Sequence, residues 1–394
     1  MKAARPSARG PEFPPYEHQE AVTSLAKSQN NFTRDLYVKL AKQSTGNLFF
    51  SPFSVMTALG MTLAGARGNT KTEMCNILHV SEDDESLHEA FSEVVNDIKK
   101  EVPEYELRTA NMAYVSDKLK VLQEYADLLT GKYLSTSEVV DFDDEPPVRT
   151  KINEAVEKET NSKIKDLIAP GVLNPDTRMV LVNAIYFKGL WENQFNESKT
   201  EEKDFWISAT ESVKVPMMTI KKKFGYQINR DLGATLLKMS YKGSRLSMVF
   251  VLPDKRDGLA DVEAKLAQTD FSELDNRMRD IEIEVTIPKF KLEESLDLES
   301  HLSEMGMKDL FSEVNADLSG ISGTRDLYVS KVIHKAFIEV NEKGSEAAAA
   351  TAVVVLLRCY IPPADPFLAD HPFVFYIIDN NNGLLYFIGR LRSI

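Results

Sequence analysis

Apolar positions along this chain recur with two different periods, and the two periods occupy different parts of it. Leu87, Phe91, Val94, Val95 and Ile98 fall on one face of a helix within an otherwise acidic segment, the spacing of a surface helix. Val55 to Ala66 is apolar and rich in Gly, Ala and Thr. With Ser51 placed to cap its start and Pro52 in the first turn, it predicts a buried helix. Further on the period changes to two. Ile281 to Ile287 alternates with Glu282, Glu284 and Thr286, and Leu246 to Leu252 is a second strand candidate. Val374 to Ile378 and Leu384 to Ile388 flank Asn380-Asn381-Asn382-Gly383, which predicts a hairpin. Helical patterns concentrate early and strand patterns late, so the fold class is α+β, a large antiparallel or mixed sheet with helices packed against it.

Composition narrows the functions open to such a fold. At 394 residues and 43% hydrophobic, the chain can bury a large core, and its length would permit two or three domains. A net charge of −13 argues against nucleic acid, because phosphate contacts need clustered Lys and Arg. No apolar run approaches the length of a membrane span. Residues 1–24 are read as an unstructured or appended leader, since Met1 to Gly10 lacks the apolar centre of a signal peptide. Cys75 and Cys359 are the only cysteines, so no disulfide framework is expected, and Cys75 is read as a packed free thiol. Asn31-Phe32-Thr33 and Asn196-Glu197-Ser198 are glycan acceptor triplets, of use only to a secreted protein.

Signatures of catalysis are missing: there is no G-x-S-x-G, no H-E-x-x-H and no C-x-x-C, and six scattered histidines offer no metal-ligand spacing. No cofactor and no metal are expected. Ser54 and His334 could suggest a hydrolase, but both lie in apolar contexts, where structural hydrogen bonding is the expected role.

One segment stands apart. Glu342-Lys343-Gly344-Ser345-Glu346-Ala347-Ala348-Ala349-Ala350-Thr351 leads through Val353, Val354 and Val355 to a single Arg358 followed by Cys359. Gly344 can serve as a hinge, the alanines carry almost no bulk, the valines favour strand, and prolines at 362, 363 and 366 end the pattern. Two readings fit: an exposed protease bait, or a buried helix from Ser345 running into a core strand.

Sequence blocks elsewhere bear on that choice. Asn47-Leu48-Phe49-Phe50-Ser51-Pro52-Phe53-Ser54, Gly65-Ala66-Arg67-Gly68-Asn69-Thr70, Asn183-Ala184-Ile185-Tyr186-Phe187-Lys188-Gly189-Leu190-Trp191, Ile287-Pro288-Lys289-Phe290, Val332-Ile333-His334-Lys335-Ala336, Asp370-His371-Pro372-Phe373 and Leu385-Tyr386-Phe387-Ile388-Gly389-Arg390 occur in this order. In these blocks the chain resembles the serpin family from about residue 25 to its end. The resemblance implies one domain over 25–394, three β-sheets, about nine helices, a metastable native state and an exposed reactive-centre loop at about 342–363. It implies suicide inhibition, in which the cleaved loop inserts into the main sheet as a new strand.

Residue by residue, it implies a hinge at Glu342 and Gly344 to Thr351, and a polar cluster of Ser51, Ser54, Asn183 and His334 where the sheet opens. It also implies a contact point of Trp191, Lys289 and Glu342 at the top. Arg358 lies sixteen residues after Glu342, the usual place of the specificity residue, so the bait bond is Arg358-Cys359 and trypsin-like serine proteases are the expected partners. Non-inhibitory relatives acting as carriers, storage proteins or chaperones are the alternative. Basic residues for glycosaminoglycan binding are few: Lys99 and Lys100 after the acidic helix, and Lys221-Lys222-Lys223. A secreted monomer is expected, with a cytoplasmic location as the alternative.

Overall fold

A computed structural model describes residues 13–100, 102–274, 277–344 and 365–394. The strands in chain order are β1 Leu48–Phe50, β2 Tyr105–Ser116, β3 Thr136–Val140, β4 Met179–Gly189, β5 Glu201–Trp206, β6 Ser212–Asn229, β7 Ala234–Ser240, β8 Leu246–Pro253, β9 Arg279–Pro288, β10 Phe290–Asp297, β11 Lys331–Val340, β12 Phe367–Leu368, β13 Phe373–Asp379 and β14 Leu385–Leu391. The helices are α1 Gln19–Gln43, α2 Pro52–Gly65, α3 Gly68–Leu78, α4 Leu87–Ile98, α5 Gln123–Tyr133, α6 Glu145–Glu159, α7 Leu259–Leu266, α8 Phe271–Leu274, α9 Glu299–Met305 and α10 Ser319–Ser322. Helix α1 starts at Gln19 and buries Val22, so packed structure begins ahead of the boundary expected at residue 25.

Among the described residues the strands form two hydrogen-bonded sheets, one of nine strands and one of five ordered β10-β11-β4-β2-β3. The expected count of three sheets differs because of one strand. The 18 residues of β6 pair with β5 at one end, with β9 along the middle and with β7 at the other end, which merges two layers into a continuous ladder.

Local chemistry accounts for the elements that position the site. Ser51 Oγ accepts the Ser54 N–H at 3.1 Å, capping α2 ahead of Pro52 in its first turn. Leu87, Phe91, Val94, Val95 and Ile98 of the acidic segment are all buried on α4, together with Ala90. Among the five strands, β4 is buried on both faces. Met179, Leu181, Ile185 and Phe187 join the main core with α2, while Val180, Val182, Ala184 and Tyr186 pack beneath α6 with Val148, Ile152 and Val156. β11 divides the same way: Val332, Ala336 and Ile338 face the main core, and Ile333 and Phe337 face α6. The β4–β11 seam therefore runs through the buried centre of the molecule.

Candidate functional site

Strands β4 and β11 are parallel neighbours, in register from Val180 beside Lys331 to Tyr186 beside Phe337. There the ladder stops, although both strands continue. Ile338 to Val340 pair with β10 and Phe187 to Gly189 with β2, and among the described residues no strand stands between these two facing edges.

Below that gap, a row of polar side chains crosses three strands: Asn111 on β2 stands beside Asn183 on β4, which stands beside His334 on β11. His334 Nε2 accepts the Ser51 N–H at 3.0 Å. Its proton therefore sits on Nδ1, which donates to Asn183 Oδ1. Asn183 Nδ2 in turn donates to the Ser54 carbonyl at 2.9 Å and lies beside the Asn111 side-chain oxygen. Ser51, Ser54, Asn183 and His334 are fully buried. Burial pushes the His334 imidazole down to about 3, so the network is neutral. The four residues named from sequence are thus brought together. Asn111 is a fifth member that the sequence reading missed, since no local pattern distinguishes it from any other strand Asn. Ser54 and His334 make no catalytic pair, because the ring bonds to the Ser51 backbone and both side chains are shut away from solvent.

Above the gap the chemistry changes. Trp191 stacks on Tyr241 with centroids 4.5 Å apart and planes at 10°, and its Nε1–H donates to the Asn341 carbonyl at 3.1 Å. Glu342 accepts from Lys289 Nζ at 2.9 Å and from Thr200 Oγ1 at 2.7 Å. Burial alone would raise the Glu342 pKa, but these hydrogen bonds hold it below the usual carboxylate value. Leaving β11, the chain makes a tight turn in which Asn341 and Gly344 exchange backbone hydrogen bonds of 2.9 and 3.2 Å, while the Trp191 N–H donates to the Lys343 carbonyl at 3.0 Å. Gly344 has φ +113°, and a Cβ there would stand 2.3 Å from the Gly189 carbonyl oxygen. Only glycine fits both the dihedral and the close approach. Sequence had marked Trp191, Lys289, Glu342 and Gly344; Thr200 and Tyr241 enter only through their contacts.

Ser345, Glu346, Ala347, Ala348, Ala349, Ala350, Thr351, Arg358 and Cys359 lie outside the described residues. Of the two glycan triplets, Asn31 is in the middle of α1, with Thr33 fully buried and bonded to the Gln29 carbonyl at 2.7 Å. Asn196 is exposed, its side chain accepting from the Ser198 N–H at 3.0 Å. Lys99 and Lys100 are ion-paired with Glu159 and Asp97 at 3.4 and 3.2 Å. Lys221 and Lys223 stand in register with Glu284 and Glu282 of β9, so this run is not a free basic face. Cys75 is buried on α3, its thiol pushed up to about 11 by burial, as suits an unreactive packed cysteine.

Known proteins share this sequence and architecture over nearly the whole chain. A family model described as serpin (serine protease inhibitor) matches residues 27–394. Iris of Ixodes ricinus is 42% identical across 94% of this chain and 99% of its own length. Human leukocyte elastase inhibitor is 39% identical across 94% of this chain and its full length. Among solved structures, Serpin48 of the insect Tenebrio molitor superposes with a TM-score of 0.86 at 36% identity, covering 96% of this chain and 99% of the other. Human thyroxine-binding globulin in its ligand complex gives 0.86 at 30% identity, covering 95% and 99%. With the seam, the buried polar row and the sequence blocks all present, the chain belongs to the serpin family.

Proposed function

We propose that this protein is a suicide inhibitor of trypsin-like serine proteases, with Arg358-Cys359 as the bait bond. Protease inhibition itself follows the family and relatives such as leukocyte elastase inhibitor; the trypsin-like choice rests on Arg358, whose guanidinium suits an acidic pocket. The observation that supports the mechanism is the interrupted seam: two parallel strands whose mutual ladder ends at Tyr186 and Phe337, at the end where the chain turns at Gly344. A strand continuing from that turn would run antiparallel to both β11 and β4, completing hydrogen bonds on each side.

The protease serine hydroxyl adds to the Arg358 carbonyl, and the Cys359 nitrogen leaves as a protonated amine, so the acyl group becomes an ester on the enzyme. The segment from about Ser345 to Leu356 then enters the seam before water can cleave the ester. If Ser345 faces inward, Ala347, Ala349 and Thr351 do too, and all are small enough to pass into the core. Roughly ten new hydrogen bonds at about 1 kcal/mol each would stabilise the inserted state by as much as a whole domain's stability, which makes the intact state metastable.

Mixing the protein with trypsin, inhibitor in slight excess, followed by denaturing electrophoresis tests this reading. Expected are a band at the summed mass, cleavage after Arg358, and loss of both in Arg358→Ala. Full potency in that variant would place the bait bond elsewhere. Cleavage without a stable complex would favour the carrier reading, which the thyroxine-binding relative keeps in view and which the small residues of the hinge oppose. Secretion, glycan attachment at Asn196, a monomeric state and weak glycosaminoglycan binding belong to the same proposal.

A further inference from the structure

We infer that Tyr16 and Arg245 are positioning residues of the hinge: they hold the turn against which Trp191 stacks, so the segment ahead of α1 governs how readily the seam opens at its top. Only the consequence for inhibition rests on the suicide-inhibitor reading. The sequence offers no hint of the link, because Tyr16 stands 229 residues from Arg245.

The turn is residues 241–245, between β7 and β8. One end of it edges the seam. Tyr241 stacks on Trp191, and the Lys242 N–H donates to the Leu190 carbonyl at 2.6 Å. In the middle, Gly243 and Ser244 have φ +81° and +56°. The left-handed conformation is costly for serine, so the turn keeps this shape only where its surroundings impose it. Arg245, at the other end, supplies that anchor. Its guanidinium donates to the fully buried Asp379 at 2.8 and 3.1 Å and to Asp97 on α4 at 2.5 Å. Its carbonyl accepts the Asn380 N–H at 2.8 Å.

Tyr16 completes the anchor. Its hydroxyl donates at 3.0 Å to the same Asp97 oxygen that Arg245 holds, and accepts from Arg245 and Asn382 at 3.2 and 3.0 Å. The segment ahead of α1 is thereby tied to α4, to the 241–245 turn and to the β13–β14 hairpin at one point. Without the hydroxyl, Asp97 and Arg245 each lose a shared partner and the turn can shift, carrying Tyr241 with it. Trp191 then loses support, and its N–H bond to the Lys343 carbonyl opens more often.

The test is native-state hydrogen exchange of the full chain in Tyr16→Phe, which keeps the ring packed on the core and removes only the hydroxyl. Arg245→Lys is the second variant. Tyr125→Phe is the control: it strips a buried hydroxyl from the Met61 carbonyl at 3.0 Å, among residues that do not touch the turn. Circular dichroism checks that each is folded. Exchange at the Trp191 amide should be about three- to tenfold faster in Tyr16→Phe and faster still in Arg245→Lys, with the Asn183 and His334 amides and the control unchanged. Incubated without protease, both variants should also lose trypsin-inhibiting capacity sooner than the native protein, because an uncleaved loop enters a looser seam more easily. Trp191 exchange unchanged in Tyr16→Phe, or raised as much by Tyr125→Phe, would overturn the role. If the native protein forms no complex with trypsin, the suicide-inhibitor reading falls and exchange alone decides the role of Tyr16 and Arg245.

Discussion

The buried polar row and the tight turn above it lie on the same seam, yet they close it by opposite means. In the row, His334, Asn183, Ser51 and Ser54 form a neutral network sealed from water, joined at its edge by the half-buried Asn111, and the sealed hydrogen bonds have no solvent substitute. At the top, closure rests on an ion pair whose lysine is 38% exposed, on one stacked aromatic pair and on a glycine turn. Solvent can replace much of the second set and little of the first. A seam built this way is expected to open from the top while its middle holds, the order an inserting strand needs.

Removing a member of the row should cost most. Asn183→Ala would leave the His334 Nδ1–H unpaired in a dry interior and remove the side-chain donor to the Ser54 carbonyl, so about 3 kcal/mol of stability should be lost in chemical denaturation. A loss no larger than at the top would erase the distinction between the two regions.

Acid should separate them next. His334 is held neutral with its folded pKa near 3, below the ordinary 6.5. The unfolded chain therefore takes up its proton first, and stability, complete above pH 6.5, should fall by about 1.4 kcal/mol per pH unit toward 3. That is about 2 kcal/mol by pH 5. Glu342 is also depressed, from 4.5, so its contribution is present above that pH and fades only as the pH falls further through the folded value. Unfolding followed by denaturant between pH 7 and 4 should show a slope that His334→Gln removes and Lys289→Ala leaves in place.

Gly344→Ala should cost about 1–2 kcal/mol, from a positive φ and a Cβ driven against the Gly189 carbonyl. Because the turn can yield, the expected signature is local: faster hydrogen exchange at the Trp191 amide, with the His334 row unchanged. Exchange spread evenly over β4 and β11 would contradict opening from the top. Lys289→Ala should have the smallest effect, below about 1 kcal/mol and shrinking with added salt, since the exposed lysine is already screened.

Much of the architecture could be read along the chain. The helix after Ser51, the acidic-segment helix, the strands from Leu246 and Ile281, and the hairpin around Asn380–Gly383 all form where local periodicity and turn chemistry place them. Such elements depend on neighbours a few residues away. The merging of layers through β6 was not legible, because an 18-residue strand that changes partners carries no signal of where one pairing ends and the next begins.

By itself the sequence determined the element types, the cap at Ser51, the hinge glycine and, through family blocks, the residues of the seam. Tertiary structure alone decided that Asn111 completes the polar row, that Thr200 and Tyr241 support Glu342 and Trp191, and that the β4–β11 ladder stops at Tyr186 and Phe337. Each is a contact between residues far apart in the chain. Local propensity and periodicity act over a few residues, whereas these pairings exist only once β-register and helix packing have fixed which side chains face one another.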